Sequence, residues 1–264
     1  MTSFPILEFD DSPTAVLEPS RIHPPFAGMP ERCVICFFND VLTEVCKDLP
    51  VIVNLSSEIG KNPVYALEVE GQRIAVVHPG VGASLSATFL EELIAYGVRT
   101  FIACGGAGVL NREITLGHLV VPTSAIRDEG TSYHYLPPAR EVSASPEAVQ
   151  AIEVTLNRHG FPYILGKTWT TDAPYRETAA KVLRRKDEGC VTVEMEAAAF
   201  FAVAQFRGVI FGQILYGGDD VSGEDWDHRD WHKQASTREK LFWLAAEAVV
   251  SVNAPTMIQP QGGM

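Results

Sequence analysis

Apolar positions along this chain recur in two periods, and stretches of each period follow one another in turn. The run Cys33-Val34-Ile35-Cys36-Phe37-Phe38 is continuously apolar, which predicts a buried strand over 33–38. A short helix is predicted from Asn39 to Lys47, and a second strand near 51–55. Residues 64–69 and 73–78, joined by Glu70-Gly71-Gln72, read as a β-hairpin. Leu85, Thr88, Phe89, Glu92, Leu93 and Tyr96 fall at helical spacing, so a helix is predicted over 84–96 with Gly97 as its stop. Further strands are predicted near 99–104, 117–126, 163–170 and 208–216, and further helices near 146–159, 175–187, 195–206 and 231–252. Gly189 and Gly208 mark helix-to-strand joints. Strands and helices mostly alternate, without internal repeats or a linker that would split the chain. The fold class is therefore α/β: one three-layer α/β/α domain over 31–254, around a central mixed, mostly parallel twisted sheet. Before it, Pro5, Pro13, Pro19, Pro24, Pro25 and Pro30 make residues 1–30 an extended arm that wraps a surface or reaches a neighbouring subunit. After it, residues 255–264 are rich in Gln, Pro and Gly and are expected to fray.

Composition narrows the partners. At 264 residues, 46% hydrophobic and 20% charged, the chain has the make-up of a globular enzyme rather than of a disordered one. A net charge of −12 argues against a nucleic-acid partner, whose phosphates would be repelled. No stretch approaches the roughly twenty apolar residues that span a bilayer, so no membrane partner is expected. Met1-Thr2-Ser3-Phe4-Pro5 has neither a basic nor an apolar leader region, and the expected compartment is cytoplasmic. The five cysteines have no framework spacing. Cys33-x-x-Cys36 lies inside the predicted buried strand, where Cys acts as a small hydrophobe rather than as a redox pair or zinc ligand.

Five short segments can carry chemistry. His78-Pro79-Gly80-Val81-Gly82-Ala83-Ser84 is a glycine loop between a strand and a helix, suited either to a tight turn or to an anion at the helix N-terminus. Ala103-Cys104-Gly105-Gly106-Ala107-Gly108 follows an apolar strand, at the end where α/β proteins place ligands; its glycines permit a close ligand or a tight strand crossing. Thr170-Thr171-Asp172-Ala173-Pro174-Tyr175 offers an aromatic ring for stacking on a base, with Asp172 read as a helix cap. Val193-Glu194-Met195-Glu196-Ala197-Ala198-Ala199 sets two carboxylates at a strand-to-helix junction, where one can complement the helix dipole and one can accept hydrogen bonds from a ribose diol. Gly218-Asp219-Asp220 follows another apolar strand. Adjacent acids repel and can hold one proton near neutral pH, as a general acid requires; the alternative is a pair of turn aspartates.

The ordered set of these segments, over roughly residues 33–250, resembles the nucleoside phosphorylase/nucleosidase superfamily, of purine nucleoside phosphorylase and uridine phosphorylase type. The resemblance implies a small-molecule nucleoside partner, cleavage of its N-glycosidic bond, and assembly into homo-oligomers from dimer to hexamer. It implies no metal and no organic cofactor, with inorganic phosphate as co-substrate in a phosphorylase. Carried onto this chain, it makes Asp219 and Asp220 the catalytic candidates. Glu194, Met195, Glu196, Tyr175, Gly105 and Gly106 become the substrate-binding candidates, with Glu196 gripping the 2′-hydroxyl. Gly80, Gly82, Ser84, Asp40 and Arg127 fall on the phosphate or water side. Ala103 stands where phosphorylases of the family carry an arginine, and Pro174 where they carry a stacking phenylalanine. The leading expectation is phosphorolysis of a purine nucleoside, favoured by Asp219. Hydrolysis, with Asp40 positioning water, is the close alternative; a non-catalytic ligand-binding member of the fold is a third. Asn39 or Asp40 can equally cap a helix. The segment from Glu224 to His232 reads either as a lid or as a charged loop entering the last helix.

Overall fold

Strand β5 (Thr100–Val109) is the axis of the molecule in the computed structural model, which describes residues 4–252. It pairs in parallel with β1 (Arg32–Cys36) and β10 (Ile210–Asp220), and at its end in antiparallel with β9 (Cys190–Glu194). Outward from β1 run β4 (Gln72–Val77), β3 (Gly60–Val69) and β2 (Val51–Ser57). On the other side β6 (Leu119–Asp128) and β8 (Tyr163–Thr171) connect β10 back to β9, and β7 (Glu141–Ser143) hangs on β6. Strands β5, β10, β6, β8 and β9 thus close on themselves, and the sheet unrolls from that ring through β1 to β2. The sheet is mixed. Its parallel pairings are β1–β4, β1–β5, β5–β10, β6–β8 and β8–β9.

Both faces of the central strands are apolar because both are covered. Cys33, Ile35, Phe101 and Ala103 point into a core with α3 (Ala83–Tyr96) and α6 (Ala197–Arg207). Val34, Cys36, Ile102 and Cys104 point the other way, into a core with α2 (Asn39–Val45), α4 (Pro146–Arg158) and α7 (Ala235–Ser251). The layers are therefore α, β, α. Cys33 and Cys36 sit on opposite faces of β1, and all five cysteines are free and buried. The arm, with a short α1 (Pro19–Ile22), lies along its own chain: His23 Nδ1 is 2.9 Å from Tyr96 Oη, and the Phe26 ring meets Tyr96 edge-on. The predicted tail and the last residues of the predicted domain lie outside the described residues.

Four expectations need correction. The glycine run after residue 104 is not a loop, because β5 continues through it and β10 continues through Gly218-Asp219-Asp220. The glycines are required by close crossing: a Cβ on Gly106 would lie 3.2 Å from the Tyr216 ring, and one on Gly108 would lie 3.0 Å from Val193 Cγ1. The helix expected over 175–187 is a single 3-10 turn, Pro174–Arg176, followed by α5 (Ala179–Asp187). Thr178 caps α5 by accepting from the Lys181 N–H, whereas Asp172 instead accepts from Gly130 N–H at 2.8 Å. The last helix begins at Ala235, after a separate turn at Trp231–Lys233.

Candidate active site

A cavity of about 780 Å³ opens where β1, β5, β9 and β10 reach their ends. Its floor is the stretch Gly105–Gly108, where Ala107 alone carries a side chain. Glu194, Met195 and Glu196 come from the β9–α6 junction on one side, and Gly218 and Asp219 from β10 on the other. Phe37 and Phe38 close the end next to β1, while Pro174 and Tyr175 stand at the mouth. The Tyr175 ring is fully exposed there.

The two glutamates of the β9–α6 junction do different work. Glu194 is buried, and its Oε2 accepts the N–H groups of Glu196 (2.7 Å) and Ala197 (2.6 Å) at the start of α6. Its Oε1 accepts from the Thr170 hydroxyl at 2.6 Å, whose own oxygen accepts from Ala198 N–H. Glu194 therefore holds the helix N-terminus. Burial pushes its carboxyl up to about 7, against the pull of those donors. Glu196 stands at the cap position of α6, and its Oε1 accepts from Gly82 N–H at 2.6 Å. Burial first, and then the neighbouring Glu194 charge, push its carboxyl up to about 8. The Gly82 contact needs a backbone φ of +90°, open to glycine, and it ties the loop before α3 to the cavity wall. With its N–H engaged by Glu196, Gly82 does not offer that donor to an anion.

Asp219 and Asp220 are neighbours on a strand, so their side chains leave on opposite faces. Asp219 faces the cavity, and its Oδ2 accepts from the Trp226 indole N–H at 2.6 Å. Asp220 is buried elsewhere, bonded to Arg229 Nη2 at 2.6 Å and to Ser222 N–H at 2.8 Å. Despite burial, these donors and the Arg229 and Arg112 charges hold its carboxyl below the usual range. The two aspartates thus share no proton, and Asp220 anchors the segment that carries Trp226: Asp220 and Asp227 also exchange backbone hydrogen bonds. The carboxyl that faces Asp219 electrostatically is Glu177, on the cavity wall after the 3-10 turn. Burial, and then the Asp219 charge, push Glu177 up to about 7.

The expected anion-side residues are dispersed. Arg127 is buried away from the cavity, its guanidinium bonded to Ser132 Oγ and to the carbonyls of Leu136 and Pro137 and lying over the Tyr133 ring. It fastens a turn and has no arm free for a substrate. Gly80, at φ +80°, donates its N–H to His78 Nδ1, and the Ser84 hydroxyl meets Thr131 Oγ1; neither lines the cavity. Ala103 lies in the α3/α6 core rather than at the site. Arg238, from α7, is the cation that lines the cavity. It stacks between the Phe38 and Trp231 rings, at 5.3 and 5.5 Å, and its Nη1 pairs with Asp40 at 3.1 Å. Asp40 is therefore connected to the cavity only through Arg238. The Arg238 Nε is buried with no partner among the described residues.

Glu177 and Arg238 are charged cavity residues that sequence reasoning did not single out. Trp226 falls inside the segment read as a lid or loop, which here forms part of the wall with Glu224, Asp225 and Trp231. Arg238 carries no local signal, being one arginine in the first turn of a long helix.

Comparison with known proteins shows what the chain is similar to. A guanosine phosphorylase of Halorubrum lacusprofundi is 30% identical over 226 residues, covering 81% of this chain and 89% of that protein. A DeoD-type purine nucleoside phosphorylase of an Exiguobacterium species is 25% identical over 76% of this chain and 84% of its own. A uridine phosphorylase of Haemophilus influenzae is 27% identical over 55% of this chain and 64% of its own. Among solved structures, the AMP nucleosidase of Bacteroides thetaiotaomicron superposes with a TM-score of 0.67 at 23% identity, over 84% of this chain and 88% of that one. The uridine phosphorylase of Vibrio fischeri superposes with a TM-score of 0.71 at 22% identity, over 86% and 95%. Those two likenesses speak for the fold. The profile of the phosphorylase superfamily matches residues 31–251, everything from β1 to the end of α7, and the chain belongs to that superfamily.

Proposed function

We propose that the protein cleaves the N-glycosidic bond of a purine nucleoside by phosphorolysis, giving free base and ribose 1-phosphate. The observation that carries this reading is that Asp219 and Glu196 line one cavity from opposite sides of the glycine end of β5. Glycosidic cleavage needs two such groups. As C1′–N9 breaks, the sugar becomes cation-like and the bonding electrons pass to the base, which leaves readily once N7 is protonated. Asp219 supplies that proton: its Oδ2 accepts from Trp226, leaving Oδ1 to meet the base. Glu196 accepts from the ribose 2′-hydroxyl, and Met195 packs under the sugar. Phosphate attacks C1′ from the face opposite the base, and its oxygen forms the new bond as the glycosidic bond breaks. The guanosine phosphorylase resemblance supports both the phosphate and the purine.

A second reading, hydrolysis, is favoured by one feature. The acids Glu177, Glu194, Glu196, Asp219, Glu224 and Asp225 line the cavity against a single Arg238, which is itself paired with Asp40. In the phosphorolytic reading a second copy of the chain supplies further cations, so the working enzyme is a homo-oligomer. The purified protein is incubated with purine and pyrimidine nucleosides, with and without phosphate, and the sugar product is identified. Phosphate-dependent ribose 1-phosphate from purine nucleosides is expected. Free ribose formed equally well without phosphate establishes the nucleosidase instead, and no turnover of any nucleoside refutes both.

A further inference from the structure

We propose that His228, Asp230 and His232 form a binding site for a divalent transition metal of borderline softness, Zn²⁺ in particular, on the segment that walls the cavity mouth. Each of the three offers one ligand atom, and those atoms all lie within 4.8 Å of one another. Ligands of a tetrahedral zinc sit about 2.0–2.2 Å from the metal and so roughly 3.3–3.6 Å apart. Closing the trio needs its ligand atoms to approach one another by up to about 1.5 Å, a shift within the reach of side-chain rotation. Two imidazoles and one carboxylate form a donor set that suits Zn²⁺, Co²⁺, Ni²⁺ or Cu²⁺ and leaves a position open for water.

The chain is bent to bring these three together. Arg229 and Asp230 both take φ of +48°, a conformation uncommon for residues with side chains. That turn sends Arg229 inward to Asp220 while His228, Asp230 and His232 converge on the outer side. His228 Nδ1 is 3.8 Å from Asp230 Oδ1, and the His228 and His232 rings are 5.0 Å apart. The other carboxylate oxygen, Oδ2, is held by Lys233 Nζ at 3.1 Å, the one local cation that would compete with a metal.

The site also reaches the cavity. The His228 ring packs edge-on against Trp226 at 5.0 Å, and Trp226 donates to Asp219. Trp231, between the two histidine ligands, is part of the cavity wall and stacks with Arg238. A metal tying residue 228 to residue 232 would fix both tryptophans in place. It acts as a clamp on the wall and takes no part in bond breaking. Such a clamp should slow substrate exchange, a consequence that rests on the proposed reading of the cavity; the metal site itself does not.

The test uses chelator-treated full-length protein without a polyhistidine tag. Ni²⁺ is titrated while tryptophan fluorescence is followed, since a paramagnetic ion beside Trp226 and Trp231 quenches both. Saturable quenching at one equivalent is expected, reversed by Zn²⁺. His232→Ala should weaken it at least tenfold, the His228→Ala/His232→Ala pair should abolish it, and Lys233→Met should tighten it. Circular dichroism of each variant checks that these exposed changes leave the fold intact. No saturable quenching up to about 1 mM, or quenching unchanged in the double variant, overturns the proposal. In turnover assays Zn²⁺ should slow nucleoside cleavage several-fold in the wild type and not in the double variant. A protein that binds Ni²⁺ as described but cleaves no nucleoside would overturn the reading of the cavity and leave the metal site standing.

Discussion

Replacing Asp219 separates proton donation from everything else in the cavity. Asp219→Asn keeps the shape and keeps both contacts, since the amide oxygen can accept from Trp226 N–H while the amide nitrogen donates to N7 of the base. What it removes is a transferable proton. Positioned general acids contribute about 10²- to 10⁴-fold, or roughly 3 to 5 kcal/mol of barrier. Asp219→Asn is therefore expected to lower kcat/KM for guanosine or inosine by about that factor. Asp219→Ala should cost more, because it also leaves the Trp226 indole without its partner and N7 without any donor. The decisive assay pairs each nucleoside with one alkylated at N7, whose base carries a fixed positive charge and leaves without protonation. On that substrate Asp219→Asn should lose less than about tenfold. Equal losses on both substrates, or activity on guanosine within a few-fold of wild type, would refute the assignment of Asp219 as the acid.

Four further outcomes follow from the same geometry. Glu196→Gln keeps an acceptor for Gly82 N–H but turns the second carboxyl oxygen, the proposed acceptor of the 2′-hydroxyl, into an amide donor, so KM for a ribonucleoside should rise about tenfold or more while that for its 2′-deoxy counterpart changes little; steady-state kinetics on the two sugars checks this. Asp220→Asn should act on stability instead, lowering the thermal midpoint by several degrees because Arg229 loses its buried partner, with no difference between ordinary and N7-alkylated substrates. Glu177 has a folded-state value raised to about 7, above that of an unfolded glutamate, so the folded protein binds the extra proton between roughly pH 4.5 and 7. Its contribution to stability is then fully present below that window and is lost as pH rises through 7, and Glu177→Gln should flatten the fall in urea midpoint between pH 5 and pH 8. The cavity also becomes more negative as Glu177, Glu194 and Glu196 ionise between about 7 and 8, so KM for phosphate should rise from pH 7 to pH 9 in initial-rate measurements.

Much of the architecture could be read from the chain because its central strands are buried on both faces and therefore continuously apolar. Cys33–Cys36 and Thr100–Cys104 contain no charged residue to interrupt that signal. The signal fails where a strand is short or poor in side chains. β7 is three residues long and pairs only with β6, so it carries no period. β5 and β10 extend beyond their apolar stretches through Gly105–Gly108 and Gly217–Asp220, residues whose propensities argue for turns. Partner strands on both sides override those propensities, and the lack of side chains is what lets the backbones of the ring approach.

The candidate site divides along the same line. Glu196 and Asp219 stand out because carboxylates are conspicuous beside apolar runs, and both line the cavity. Asp220 was coupled to Asp219 by adjacency, which on a strand means opposite faces, and its partners Arg229 and Arg112 come from elsewhere in the chain. Arg127 misled for the reverse reason: a cation in a polar loop looks available, but three carbonyl and hydroxyl acceptors within ten residues engage it. The electrostatic neighbour of Asp219 is Glu177, some forty residues earlier and on the cavity wall just before the Thr178 cap at which α5 begins. This pairing changes how an acid-lined cavity can receive an anionic co-substrate. Six ionised carboxylates would repel phosphate, but burial holds Glu177, Glu194 and Glu196 near or above neutrality in their proton affinity. Burial thus shifts the carboxyls that look like an obstacle to the proposed phosphorolysis toward their neutral forms, which lessens that repulsion.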